Sequence, residues 1–594
     1  MDILQLLSVA YGGSKEERTA ATTQLENAIN SVDGPRHLVA LLRAGTDPAL
    51  KAEQSLSALI YAKNCIMETL DDKQIAAAPG VLDEVKSLLY EGAFRVPLTH
   101  QKIIHTCVAS IVSSFQWNYL PQLMPEITRE RAGVSVEHAV AALGMLYAFV
   151  KRFKTPGLEP LPMKLTVCSC LLSALPSFFS YGEPQIDHIV LKVMNCIVET
   201  ALQANKVQAL PPEALDAWFH GMVQYPELHF ASASEAAANG LQKTYETYVG
   251  CLKQIAMTSF SVLNDATKKK SPAPVARRFL TTHASAFFGV WQRWLKYAST
   301  SRARGVHQKA DMFAIRYIKL CALDKTLYQQ CLLPQLMHVV ESMLFPYLCF
   351  SEEDEPAFAD DSDLSEFAQY MMEEGFDQSE VSQRQAASNA IVAIVKGNKE
   401  FHEDCLQKII DFLIAGLSRG DNDETFPQTF GFLHLLSVLR RHLRCVSEIW
   451  ETQIVQVLVA FVTPRVLPTV PYIPLRCKAL VVCQRYSKAP IPAEEDFAAF
   501  TRIVSSLVQD CDSRIRLGAI DALCTFLEMK RALPYIRPIL VPLVEECICF
   551  LNRVQTSFVP TALLYLVEHF CARTHLCPWE DWKDACATLF GNNI

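Results

Sequence analysis

Apolar residues return every three to four positions along most of the chain, the period of a helix that buries one face. Between Asp512 and Met529, the residues Ile515, Ala519, Ala522, Leu523, Phe526 and Leu527 fall on one stripe. Asp512 and Ser513 stand ahead of it as candidate caps for the unsatisfied N–H groups of the first turn. Gln383–Val395 repeats the arrangement through Ala387, Ala390, Ile391, Ile394 and Val395. Proline and glycine punctuate the stripes at Gly34-Pro35, Pro79-Gly80, Pro211-Pro212, Pro471, Pro490 and Pro492. Proline lacks the helical N–H and clashes with the preceding turn, so these positions mark helix starts and stops. The pattern predicts helix after helix, joined by short connections.

A finer motif recurs on top of this period. Asp512–Ala519 reads Asp-x-x-Ile-Arg-x-x-Ala, Leu475–Ala479 reads Leu-Arg-x-x-Ala, and Arg384–Ala387 repeats Arg-x-x-Ala. The three arginines, Arg384, Arg476 and Arg516, lie 92 and 40 residues apart. Helical pairs that recur every 40–47 residues or so are the HEAT and armadillo unit. The physical logic is that Asp caps one helix, Arg reaches the neighbouring repeat, and Ala lets helices approach closely. The expected fold is an all-α superhelical solenoid of HEAT-type repeats, roughly a dozen helical pairs long.

Composition narrows the alternatives. At 594 residues the chain is too long for one core. Half of it is apolar and 20% is charged, which excludes a disordered polymer. Its 22 glycines are mostly scattered singly, too few for an all-β fold with a turn every 8–12 residues or so. The net charge of −8 does not favour bulk nucleic-acid binding. That acidity is local: 351–380 holds twelve Asp or Glu and no Lys or Arg, and removing it leaves 55 basic against 51 acidic residues. Twenty cysteines occur without a single C-x-x-C pair, which reads as buried thiols in a reducing compartment. Met1–Ala10 lacks the basic start of a signal peptide, and the charge-free stretch Leu165–Gly182 carries Ser and Pro. The expectation is a soluble, intracellular protein with no membrane insertion.

Catalytic look-alikes carry little. Gly416-x-Ser418-x-Gly420 matches a nucleophile elbow, which needs a strand before the serine, whereas Ile409–Ala415 reads as the end of a helix. His569, Cys571, His575 and Cys577 offer metal-binding residue types without finger spacing. Phosphate-binding loops and H-E-x-x-H are absent from the sequence, so no enzymatic activity and no cofactor are expected. The basic stretch Lys268–Arg278 reads as a solvated loop, or as a holder for an acidic partner.

Three stretches resemble the importin-β (karyopherin-β) superfamily of nuclear transport receptors. The first is Ala21–Glu26 with Leu59-Ile-Tyr-Ala-Lys63-Asn64, followed by Phe115–Leu123. The second is Leu344–Glu355 leading to Phe358, Asp360, Asp361, Glu366 and Phe367, which is similar to the importin seven and importin eight branch. The third is Pro534–Pro542 after the Asp512–Met529 helix. Members of that branch are longer, so the array reads as truncated at its C-terminal end.

The resemblance implies a division into N-terminal, Ran-binding repeats over 1–155, further repeats over 156–350 with the basic loop 268–278, an acidic insertion over 351–380, and middle repeats over 381–594. It implies a carrier of protein cargo through the nuclear pore, shuttling between nucleus and cytoplasm, with cargo release controlled by the GTP form of Ran. Alternatives are an export receptor of the same superfamily or a static HEAT scaffold. Implied partners are Ran, Phe-Gly nucleoporins and basic cargo such as ribosomal proteins or histones, without direct nucleic-acid contact. Glu352, Glu353, Asp354, Glu355, Asp360, Asp361 and Asp363 are the expected contacts for Ran or basic cargo, on an exposed insertion between helices.

Overall fold

A computed structural model describes residues 3–546 apart from 32, 71–77, 79, 156, 204–209, 301–303, 360–363, 376–381, 398–401, 447–448, 490, 492–493, 528, 540–541 and 543–545. The cluster His569, Cys571, His575 and Cys577 therefore lies outside the described residues, as do Asp360, Asp361 and Asp363. Among the described residues there are helices and no strands.

The chain divides into two compact units, Met1–Phe287 and Phe288–Ile594. In the first, the helices are α1 (Ile3–Gly12), α2 (Lys15–Ile29), α3 (Gly34–Thr46), α4 (Ala52–Asn64), α5 (Val81–Arg95), α6 (Leu98–Phe115), α7 (Leu120–Thr128), α8 (Val136–Val150), α9 (Leu161–Ala174), α10 (Pro184–Gln203), α11 (Asp216–Ala238), α12 (Gln242–Lys268) and α13 (Pro274–Thr282). Helix α14 (Ala284–Thr300) runs across the division. The second unit holds α15 (Arg304–Leu323), α16 (Ser365–Gly375), α17 (Gln383–Lys396), α18 (His402–Leu417), α19 (Phe426–Leu443), α20 (Ile473–Arg485), α21 (Glu494–Ser506) and α22 (Ser513–Leu527).

Each unit is built on a row of stacked helices. In the first, α4, α6, α8, α10 and α12 pack one on the next; in the second, α15, α17, α19, α20 and α22 do the same. The intervening helices form the other layer of each pair, which is the architecture of a HEAT-repeat solenoid. The stripes read from the sequence are the faces that this stacking buries. Ile515, Ala519, Ala522, Leu523 and Phe526 are all at most 1% exposed, and so are Ala387, Ala390, Ile391, Ile394 and Val395.

The Arg-x-x-Ala motif acts as anticipated at its alanines and at Arg476, whereas Arg516 also turns back to the Asp510 carbonyl just ahead of its own helix. Ala387, Ala479 and Ala519 are fully buried where helices meet. Asp512 accepts from the N–H groups of Arg514 (2.9 Å) and Ile515 (3.3 Å), capping α22. Arg476 on α20 pairs with Asp510, ahead of α22, with both side chains buried. Arg465 reaches Asp421 (2.9 Å) and the Leu417 carbonyl (3.0 Å). A further buried junction centres on Asp311 of α15, which accepts from Trp294 (2.8 Å), Tyr347 (3.0 Å) and Gln383 (2.9 Å).

One expectation changes and others are sharpened. Leu161–Tyr181 is a 21-residue helical run long and apolar enough to cross a membrane by length and composition, which the sequence reading had discounted. It switches to a 3-10 turn at Leu175, beside Pro176. It also packs into the array: Cys168, Leu171, Leu175 and Phe178 are fully buried, and the Trp218 indole donates to the Leu172 carbonyl (3.1 Å). The Gly416-x-Ser418-x-Gly420 motif sits at the end of α18 with no strand before it, and the exposed Ser418 hydroxyl donates back to Ile414 (2.7 Å). The basic loop is partly tied down: Lys269 pairs with Asp265, and Arg278 with Asp216 and Glu213. Burial raises the thiols of Cys107 and Cys196 to about 12, so both stay protonated and unreactive near neutrality.

Candidate partner-binding surfaces

The N-terminal stretch with the family likeness is a helix–helix contact. Leu59 and Ala62 of α4 are fully buried, and the Ser55 hydroxyl donates to the Gly45 carbonyl (2.6 Å). A Cβ at Gly45 would stand 2.5 Å from a Leu59 methyl, so only glycine lets α3 approach this closely. Asn64 is the last residue of α4. It keeps helical dihedrals, and the chain winds on through a π-turn over Cys65–Thr69. Near Phe115–Leu123, Tyr119 is 1% exposed and donates to the Met145 carbonyl (2.7 Å), which fixes that stretch to α8.

The acidic segment is not one uniform exposed insertion. Glu352, Glu353 and Glu355 are exposed, but Asp354 is only 5% exposed. Its carboxylate takes both terminal nitrogens of Arg384 (2.6 Å each) and accepts from the Ser351 N–H (2.8 Å) and hydroxyl (3.1 Å). Pro356 opens a 3-10 turn over Glu355–Phe358, and α16 follows within the same acidic stretch. Leu364 and Phe367 are fully buried, with Phe367 edge-on to Phe358 (5.5 Å between centroids). The segment therefore contributes to the core through its apolar residues and through Asp354, while its neighbouring glutamates face solvent. Sequence alone could not separate Asp354 from its neighbours, because its partner Arg384 is thirty residues away.

An aromatic groove of ≈ 430 Å³ lies between α18, α19 and the turn at Phe345–Tyr347. Phe345, Phe412 and Phe432 form a triangle with centroids 5.2, 5.0 and 4.3 Å apart. Gly416 completes its wall: a Cβ there would stand 2.1 Å from the Phe432 ring. The sequence reading missed this groove. The one local signal was Phe412 and Gly416 at i and i+4, a ring beside a gap on one helix face. Among the described residues, no group of three or more His, Cys, Asp or Glu is placed to hold a metal.

No established family profile matches the chain. An importin beta-like SAD2 homolog from Arabidopsis thaliana is 24% identical over 252 residues, 42% of this chain and 24% of that protein. Human Importin-8 is 20% identical over 605 aligned positions, spanning 96% of this chain and 55% of its own length. Both relatives carry importin names, and the chain is similar to them. Among solved structures, Lph2, a bidirectional nuclear transport receptor of S. cerevisiae, superposes with a TM-score of 0.62 at 14% identity, over 97% of this chain and 59% of that one. Kap121p bound to Nup53p gives 0.53 at 10% identity, over 100% and 55%. These structural likenesses carry the fold. The chain spans about a quarter of the length of the SAD2 homolog and about half that of Importin-8.

Proposed function

We propose that the chain is a nuclear transport receptor that carries protein cargo through the nuclear pore, with RanGTP opposing cargo binding. The observation that carries the reading is the alignment with Importin-8 across 96% of this chain, together with the unbroken helix rows in both units. A solenoid suits the task because each repeat touches only its neighbours, so many small rotations add to a large change of curvature. Ran in its GTP form is assigned to the N-terminal repeats, about residues 1–155, and to the exposed glutamates Glu352, Glu353 and Glu355. Asp360, Asp361 and Asp363 remain part of the proposed acidic contact. Asp354 leaves it, because Arg384 already occupies its carboxylate.

The aromatic groove at Phe345, Phe412 and Phe432 is the proposed seat for a phenylalanine of a Phe-Gly nucleoporin. Its walls offer edge-to-face partners for one more ring. Basic cargo is the proposed freight.

The test is binding of Ran loaded with GTP or GDP to the purified chain, with and without cargo. Tight binding of the GTP form alone supports the reading, and equal affinity for both forms removes it. Linkage then gives direction: RanGTP that weakens cargo binding marks import, and RanGTP that strengthens it marks export. A static scaffold shows neither effect.

A further inference from the structure

A second groove, of ≈ 660 Å³, opens along the row α17, α19, α20 and α22 of the second unit. Its lining is basic. Lys396 comes from the last turn of α17, Arg440 and Arg441 from the last turn of α19, and Arg485 from the last turn of α20; Lys488 follows three residues later. Among the described residues, the one carboxylate in the lining is Asp521 of α22, which accepts from Gln484 (3.0 Å). Burial holds the Arg440 guanidinium below its ordinary range, and the neighbouring Arg444, Arg441 and Arg485 depress it further. His442 is lowered to about 4, by burial first and then by Lys396, His402 and Arg441, so it stays neutral near pH 7.

Cations in a last turn answer the helix dipole, which accounts for each of these residues singly. It does not account for three such turns converging on one groove. Among the described residues, Lys396, Arg440 and Lys488 lie in no ion pair. Ser487, 1% exposed, also lines the groove, and its buried hydroxyl finds no hydrogen-bond partner among the described residues. Gln385 and Asn389 on α17 add side-chain amides to the same wall. Among the described residues, such a site holds more cations than carboxylates and is supplied with groups that both donate and accept.

We propose that this groove docks an acidic linear segment of a partner protein, a run rich in Asp and Glu. Its carboxylates meet Lys396, Arg440, Arg441 and Lys488, and its main chain uses the amides of Gln385 and Asn389. A nucleic-acid backbone fits less well. Phosphates offer acceptors alone, whereas a peptide main chain also brings N–H donors for the amide oxygens of Gln385 and Asn389. This surface is opposite in sign to the one proposed for basic cargo, and its argument does not rest on the carrier reading.

The probe is a fluorescein-labelled dodecapeptide of alternating Glu and Gly, titrated with the full chain and followed by anisotropy at low and physiological salt. The expected result is binding that weakens with salt, since such contacts are screened over about 8 Å at physiological ionic strength. Binding should fall at least tenfold in a Lys396→Gln, Arg440→Gln, Lys488→Gln variant, whose changed side chains hold no ion pair among the described residues. Asp521→Asn should tighten binding, and Lys270→Gln with Arg277→Gln should leave it unchanged. Peptide affinity unchanged in the triple variant, or no preference over a Gln-Gly peptide, overturns the proposal. So does a twelve-nucleotide single strand that binds more tightly than the peptide and is lost in the triple variant. No Ran or pore component enters the assay, so its failure leaves the carrier reading standing.

Discussion

Asp354 offers the sharpest test of how the acidic segment is built. Asp354→Asn keeps the shape of the side chain but removes the charge that holds Arg384. That guanidinium is itself largely buried, with a side-chain exposure of 14% against 6% for Asp354. It would keep the Cys349 carbonyl (3.0 Å) and its place over the Phe430 ring (5.2 Å). Removing one partner of a buried ion pair costs about 3–5 kcal/mol, because the other charge stays buried and uncompensated. The remaining contacts of Arg384 and the hydrogen bonds from Ser351 to an asparagine oxygen place this change at the lower end, about 3 kcal/mol. Hydrogen exchange reads it locally: amides of Ser351–Phe358 and the first turns of α17 should lose protection together. The companion variant Glu352→Gln, Glu353→Gln, Glu355→Gln changes exposed groups only, and its stability should stay within about 0.5 kcal/mol of the original. Equal protection in Asp354→Asn and the original chain would refute the structural role assigned to this residue.

Further outcomes follow from single positions. Burial raises the Asp187 carboxyl to about 6, against a lowering hydrogen bond from Tyr225 (3.0 Å). A folded pKa above the unfolded one gives stability that is complete below about pH 4 and is lost as pH rises through about 6. Asp187→Asn should therefore raise the unfolding temperature at pH 7.5, by up to about 3 kcal/mol of stability, and the gain should vanish near pH 4 in a calorimetric pH series. Gly416→Val drives a side chain into the Phe432 ring and should cost about 1–3 kcal/mol in denaturant unfolding while closing the aromatic groove to a Phe-Gly peptide. Asp311→Leu strands the buried donors of Trp294, Tyr347 and Gln383, and should destabilise the second unit by several kcal/mol, visible as early loss of tryptophan fluorescence on heating.

The helical period and the Arg-x-x-Ala motif made the repeat architecture legible, because both are local consequences of stacking. Ala519 must be small where helices meet, and Asp512 must cap where a helix starts; each requirement leaves its mark within a few residues. Partner surfaces leave no such mark. In the sequence the carboxylates around Asp354 look alike, and only a partner thirty positions on tells it from Glu353. Phe345, Phe412 and Phe432 are spread over almost ninety residues, so their triangle exists only after folding. The cations of the second groove read one by one as dipole partners at helix ends. Past Asn64 the winding continues as a π-turn that places Cys65 and Ile66 in the core, a change of helix type with no local mark in the sequence.

Helix α17 joins the acidic segment to the basic groove. Arg384 in its first turn holds Asp354, while Gln385, the next residue, lines the basic groove together with Asn389 and Lys396. A smaller cavity bridges the two, bounded by Asp354 and Glu353 on one side and by Gln385 and His434 on the other. The Asp354–Arg384 pair thus does more than relieve a buried charge: it sets the start of the helix whose far end supplies Lys396. Loosening that pair shifts α17 and with it the amides proposed to meet a peptide main chain. An Asp354 variant that loses acidic-peptide binding would then report helix position rather than charge. That is why the docking assay changes Lys396, Arg440 and Lys488, which lie at the far side of the groove and hold no ion pair among the described residues. The glutamates flanking Asp354 are spared this coupling because they face solvent. Electrostatic steering of a basic partner and structural support of a basic groove can therefore reside in adjacent residues, Glu353 and Asp354, without being the same function.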